Sequence, residues 1–155
     1  MPLHVFVVEL RDLQPGSPDL AGVARPVAWR FVVSSKGEPV AIDVGEHELD
    51  VQIERGPVVR RMAEMLKGAE CRAEALEGAL APSVLRIPEA HLTAVWLRSG
   101  DPEADRVVPL YPAPQGLEAG REYLTTEFLR MASEIAERKQ ASYRREDTDT
   151  GELGA

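Results

Sequence analysis

Val59, Met62, Leu66, Ala69, Ala73, Leu76 and Leu80 recur at intervals of three and four residues, which places all seven on one stripe of a helix. Pro57 stands where a first helical residue belongs, with Gly56 before it and Pro82 just beyond the end. The pattern predicts one helix over Pro57–Leu80, roughly 36 Å long at 1.5 Å per residue. Such a rod cannot bury its stripe alone, so it dictates a partner layer and with it the architecture of the chain.

The stripe changes width along its length. In the first half Val58, Ala63 and Met65 broaden it to the apolar face that a sheet-packing helix requires. In the second half Glu70, Arg72 and Glu77 narrow it towards the seam of a helix pair. The first half is therefore expected on the protein's own sheet. The second half is a candidate contact for a protein partner or a homodimer, with Arg72 opposite the mate's Glu77 in a parallel pair. Leu76→Glu would dissociate such a dimer. Gly68 and Gly78 each weaken the helix by about 1 kcal/mol relative to alanine, and Gly68 is a place where it can break.

The runs before the helix read as strands. Leu3–Leu10 is continuously apolar, the pattern of a strand covered on both faces. Residues 11–25, with Pro15, Gly16, Pro18 and Gly22, form a loop. Ala28–Ser34 and Pro39–Val44 flank Ser35-Lys36-Gly37-Glu38 as a hairpin. Leu49–Glu54 alternates, with Leu49, Val51 and Ile53 on one face and Asp50, Gln52 and Glu54 on a face expected in water.

After the helix come Val84–Pro88, His91–Arg98 and Arg106–Tyr111. Pro109 puts the last of these at a sheet edge or its end. Thr, Val and Trp favour a strand for residues 88–98 over a short helix begun by Pro88. Trp96 is expected at the centre of the core. A C-terminal helix follows, with Thr125 as cap, a Leu124–Leu129 staple and a buried stripe of Leu124, Phe128, Met131 or Ala132, and Ile135. From Arg144 the chain is almost devoid of apolar residues and is expected to be a disordered acidic tail.

Strands, long helix, strands, helix is the order of an α+β domain, here over residues 1–143. It implies a mainly antiparallel sheet of five to seven strands with both helices on one face.

The formal charge of −8 and the lack of an unflanked basic cluster argue against binding to nucleic acid or an anionic membrane. No apolar stretch is long enough for a transmembrane helix, and the N-terminus lacks the pattern of a signal peptide. The lone Cys71 fits a reducing cytoplasm. Three lysines among 18 basic residues suggest a GC-rich bacterial genome.

Candidate sites are few. Cys71 falls opposite the helix stripe and is expected to be exposed, between Glu70 and Arg72, without a base to activate it. His4, His47 and His91 lie in separate elements, and Glu46-His47-Glu48 is the one tight group of metal-ligand types, expected at a solvated hairpin tip. No nucleophile motif or phosphate loop is present, so no catalytic, cofactor or metal residue is assigned. Asp43 stands in an apolar run and is expected on the solvent face of its strand. Should a pocket exist between sheet and long helix, Asp43, His91 and Tyr111 are the polar groups available to it. The residues thus point first to a non-catalytic protein-interaction module, a cytoplasmic bacterial adaptor, regulator or chaperone-like partner. A small-molecule binder or enzyme with an apolar pocket is the alternative.

Overall fold

A computed structural model describes residues 2–13, 19–46, 50–75 and 81–151 of the chain. Its frame is an eight-stranded sheet: β1 (Leu3–Val7), β2 (Arg25–Ser35), β3 (Glu38–Gly45), β4 (Val51–Glu54), β5 (Ala81–Ile87), β6 (Leu92–Arg98), β7 (Arg106–Pro109) and β8 (Tyr123–Leu124). Three helices accompany it: α1 (Leu20–Val23), α2 (Pro57–Ala75) and α3 (Thr125–Gly151). The spatial order is β4-β3-β2-β1-β5-β6-β7-β8. Every neighbouring pair is antiparallel except β1 and β5, which run parallel because α2 carries the chain across the sheet. The fold is α+β, with a sheet that is mixed and wider than expected.

The helices lie on opposite faces rather than one. Val59, Met62, Leu66 and Ala69 of α2 pack with Leu3, Val5, Val84, Val95 and Val108. Phe128, Ala132, Ile135 and Ala136 of α3 pack with Phe6, Leu85, Ile87, Trp96 and Val107 on the other side. Successive strand residues point to opposite faces, so strands that are apolar at every position demand two covers. In β6, residues Leu92, Ala94, Val95, Trp96 and Leu97 are all buried. Trp96 is at the centre, fully buried, with its indole N–H donated to Asp105 Oδ2 at 3.0 Å.

Local chemistry accounts for most boundaries. Lys36 and Gly37 both have positive φ (53° and 80°), the two-residue turn whose twist suits a hairpin, and glycine takes the second position without a Cβ penalty. α2 runs through Gly68 without a break, and the stretch 76–80, with Leu76, Glu77 and Leu80, lies outside the described residues, as do the side chains of Arg72 and Ala73. Cys71 is exposed, as its position opposite the stripe requires. Residues 88–98 contain both elements weighed from sequence: Pro88–Ala90 is one 3-10 turn and Leu92–Arg98 the strand.

Thr125 does not cap α3. It is the first helical residue, and its hydroxyl donates to the Pro102 carbonyl. Leu124 lies in β8 and is exposed, so the buried stripe begins at Phe128. The helix also continues through Arg144 to Gly151, where disorder is expected from composition. Arg144, Arg145 and Glu146 are good helix formers, and no proline or glycine interrupts the segment before Gly151. Side chains 141–148 are exposed and add nothing to the core. Among the described residues no helix is long and apolar enough to cross a membrane.

Candidate functional site

The half of the sheet formed by β2, β3 and β4 is built with its polarity reversed. The ladder pairs Trp29 with Val44 and Phe31 with Ile42, and then Val44 with Val51 and Ile42 with Ile53. Val27, Trp29, Phe31, Val33, Ile42, Val44, Val51 and Ile53 therefore share one face with Val40, the partner of Val33 and the one buried member. α3 does not reach it. Trp29 and Phe31 are each 39% exposed, Val51 49% and Ile53 57%. The alternation of β4 is as the sequence implies, but its apolar face is the open one and all four of its residues are exposed. At one margin of this face His4 stacks on Trp29 with ring centroids 3.6 Å apart, and its Nε2 lies 3.8 Å from Glu46.

The opposite face of the same strands, beneath α2, carries the charges. Arg30 is 1% exposed. Its Nε and Nη2 donate to the two oxygens of Asp43 at 2.6 and 2.7 Å, a bidentate pair formed because the two residues are direct ladder partners. Arg86 of β5 donates from Nη2 to Asp43 Oδ2 at 2.8 Å, and Glu54 of β4 lies 3.3 Å from Arg30 and 3.5 Å from Arg86. Arg30 Nη1 points to the Met62 thioether at 2.9 Å. Asp43, expected in solvent, is thus buried. A carboxylate is tolerated there because two guanidiniums face it, and an unpaired one would be expelled.

This cluster floors a cleft of about 370 Å³ between the sheet and the first turns of α2. Val58, Val59 and Met62 form one wall and Leu110, Tyr111 and Pro112 another; Arg55, Thr93 and His91 complete the lining. The Arg61 guanidinium sits over the Tyr111 ring, 4.2 Å from its centroid. His91 adopts a left-handed backbone (φ 48°) after the 3-10 turn. Of the three polar groups available from sequence, His91 and Tyr111 both line the cleft, and Asp43 lies under its floor, bound to Arg30 and Arg86.

Arg30, Glu54 and Arg86 are the members that sequence reasoning missed. Arg30 and Arg86 do leave a trace, as single charges inside Ala28–Ser34 and Val84–Ile87. Glu54 is masked by the clean alternation of its strand. Of the group Glu46-His47-Glu48, His47 and Glu48 lie outside the described residues. Among the described residues no set of three or more His, Cys, Asp or Glu side chains is placed to hold a metal ion.

No family model, curated protein or solved structure matches this chain, so its chemistry rests on the geometry above.

Proposed function

We propose that this chain is a non-catalytic protein-interaction module whose contact surface is the uncovered apolar face of β2, β3 and β4, with a second copy of the chain as occupant. The carrying observation is the reversal of polarity. Eight apolar side chains face outward while the charged side chains of the same strands, Arg30, Asp43 and Glu54, face the helix. The open residues expose on the order of 500 Å² of apolar side chain, near the top of what monomers carry and the usual mark of an interface.

Self-association fits the charges. A chain of formal charge −8 repels its own copies, but the rows of this face from Trp29 and Phe31 to Val51 and Ile53 carry no charged side chain, and Glu38, of the same parity at the hairpin end, is held by Arg60 of α2. Lys36 lies at the hairpin end of the face, and Glu46 and Asp50 lie at the other, all exposed. Two faces packed about a two-fold axis that lies between them and perpendicular to the strands set Lys36 of each copy near the acidic end of its mate. Two sheets stack about 10 Å apart, with aromatic and branched side chains interdigitating. The area is below that of a standard stable interface, so the dimer is expected to form with rising concentration. The single exposed cysteine and the acidic exterior suit a cytoplasmic adaptor or regulator of bacterial origin.

Sedimentation velocity over a concentration series, paired with acrylamide quenching, tests this reading. Trp29 is accessible and Trp96 buried, so quenching separates the two tryptophans. The expected result is a dimer fraction that rises as the accessible tryptophan is lost, and a Phe31→Glu variant that stays monomeric with an unchanged circular dichroism spectrum. A dimer along α2 instead would dissociate on Leu76→Glu and leave Trp29 accessible throughout. A monomer at every concentration overturns self-association.

A further inference from the structure

We infer that the cleft beside α2 is a binding site for a small organic monocarboxylate with an apolar body. The site is independent of the open sheet face, which lies on the other side of the same strands.

The lining divides in two. Val58, Val59, Met62, Leu110 and Pro112, with the Tyr111 ring, form apolar walls, and Arg30, Arg55 and Arg86 bring guanidiniums to the floor and rim. That combination suits a ligand with a hydrocarbon part and one charged end, and the volume of about 370 Å³ is at the small end of the usual range for such sites.

Charge selects the head group. Among the groups that line the cleft or lie under it, three guanidiniums (Arg30, Arg55, Arg86) stand against two carboxylates (Glu54 and Asp43), leaving one positive charge in a chain whose formal total is −8, while the Arg61 guanidinium stacks on the Tyr111 ring outside the lining. A monoanion neutralises that excess. A dianion such as a phosphate ester reverses it beside Glu54, in a half-enclosed site where an uncompensated charge is costly. Donors are at hand. Arg30 Nη1 ends on the Met62 thioether, a weak acceptor that a carboxylate oxygen outcompetes. The Arg86 side chain is 27% exposed and Arg55 is exposed. The planar fork of a guanidinium matches a carboxylate better than it matches a neutral amide.

The test uses the full chain and isothermal titration with phenylacetate, its neutral analogue phenylacetamide, and phenylphosphonate at a pH where that probe is dianionic. Phenylacetate is expected to bind saturably, with the amide and the dianion each weaker by about tenfold or more. Val58→Glu places a carboxylate on the cleft wall at an exposed first-turn position of α2, where acidic residues favour the helix. It should abolish phenylacetate binding while leaving the melting temperature and the sedimentation behaviour of the chain unchanged. Arg55→Gln should weaken binding several-fold. Equal binding of phenylacetate and phenylacetamide, phenylphosphonate binding as tightly as phenylacetate, saturable binding that survives Val58→Glu, or no saturation by phenylacetate into the millimolar range overturns the assignment. None of these outcomes bears on self-association through the sheet.

Discussion

The two halves of this sheet share a backbone pattern and differ in what covers them. β5, β6 and β7 are enclosed between α2 and α3, and side chains on both of their faces are buried. β2, β3 and β4 have a helix on one side alone, and that side holds Arg30, Asp43 and Glu54 beside Ala28, Ala41 and Val32, while the larger apolar residues look outward. The first half is ordinary core. In the second the ladder and the buried ion cluster hold the strands in place, and the larger apolar side chains are left for something else to cover. Burial of apolar area is the main force of folding, so a half-sheet that leaves its apolar face open is stabilised less by its own fold than it can be by association.

Matched truncations in the two halves give the largest contrast. Phe128 is fully buried against the enclosed strands, and Phe128→Ala should lower the unfolding free energy by about 3–5 kcal/mol. The same truncation at Phe31, 39% exposed and paired across the strands with Ile42, should cost the monomer only about 1–2 kcal/mol. Urea titration of dilute protein reads both. If Phe31→Ala costs as much as Phe128→Ala, the outward face is covered in solution and the contrast fails.

The ion cluster is tested next, because removing one partner differs from removing both. Asp43→Ala leaves Arg30 buried and short of its main partner, and should cost about 3–5 kcal/mol. Replacing the pair together, Arg30→Met with Asp43→Leu, should recover most of that loss, since an apolar pair of similar volume can match a buried ion pair. Arg86 then keeps Glu54 as its partner. A double variant no more stable than Asp43→Ala would show that the charges do more than neutralise one another.

The sequence carried the period of each strand but not the side on which its cover sits. Leu49–Glu54 shows why: alternation separates Val51 and Ile53 from Gln52 and Glu54, and the usual assumption that apolar means inward then selects the wrong face. Asp43 misleads for the same reason. Its burial depends on Arg30, 13 residues away, and on Arg86, 43 residues away, and linear spacing does not reveal such ladder and crossover neighbours. The α2 stripe was legible because its period is local, as were the hairpin at Lys36-Gly37 and the buried Trp96. β8, two residues long, is too short for any period to show. His91 and Tyr111 could be named as available groups, but only the fold brings them to one cleft.

The smallest effect concerns a second ion pair in the open half, this one in solvent. Arg60 of α2 donates from Nη2 to both oxygens of Glu38 in β3, at 2.6 and 2.5 Å, with both side chains exposed. Those hydrogen bonds, and then the Arg60 charge, hold the Glu38 carboxyl below its ordinary value, and Glu38 in turn raises Arg60. A carboxyl whose folded pKa is depressed contributes stability that is fully present above its unfolded pKa and is lost as pH falls through the folded one. Water and salt screen an exposed pair, so its effect on melting should be slight and should fade at high ionic strength. Carbon-detected NMR titration of Glu38 is the sensitive measurement, with a midpoint below that of an unperturbed glutamate in the native chain and a return to the ordinary value in Arg60→Gln. An ordinary midpoint in the native chain would mean that this ion pair does not tie α2 to the hairpin in solution. The buried Arg30–Asp43 pair would then be the stronger ionic link within this half, tying β2 to β3 beneath the helix, and the contrast between its enclosed charges and its open apolar surface would be sharper still.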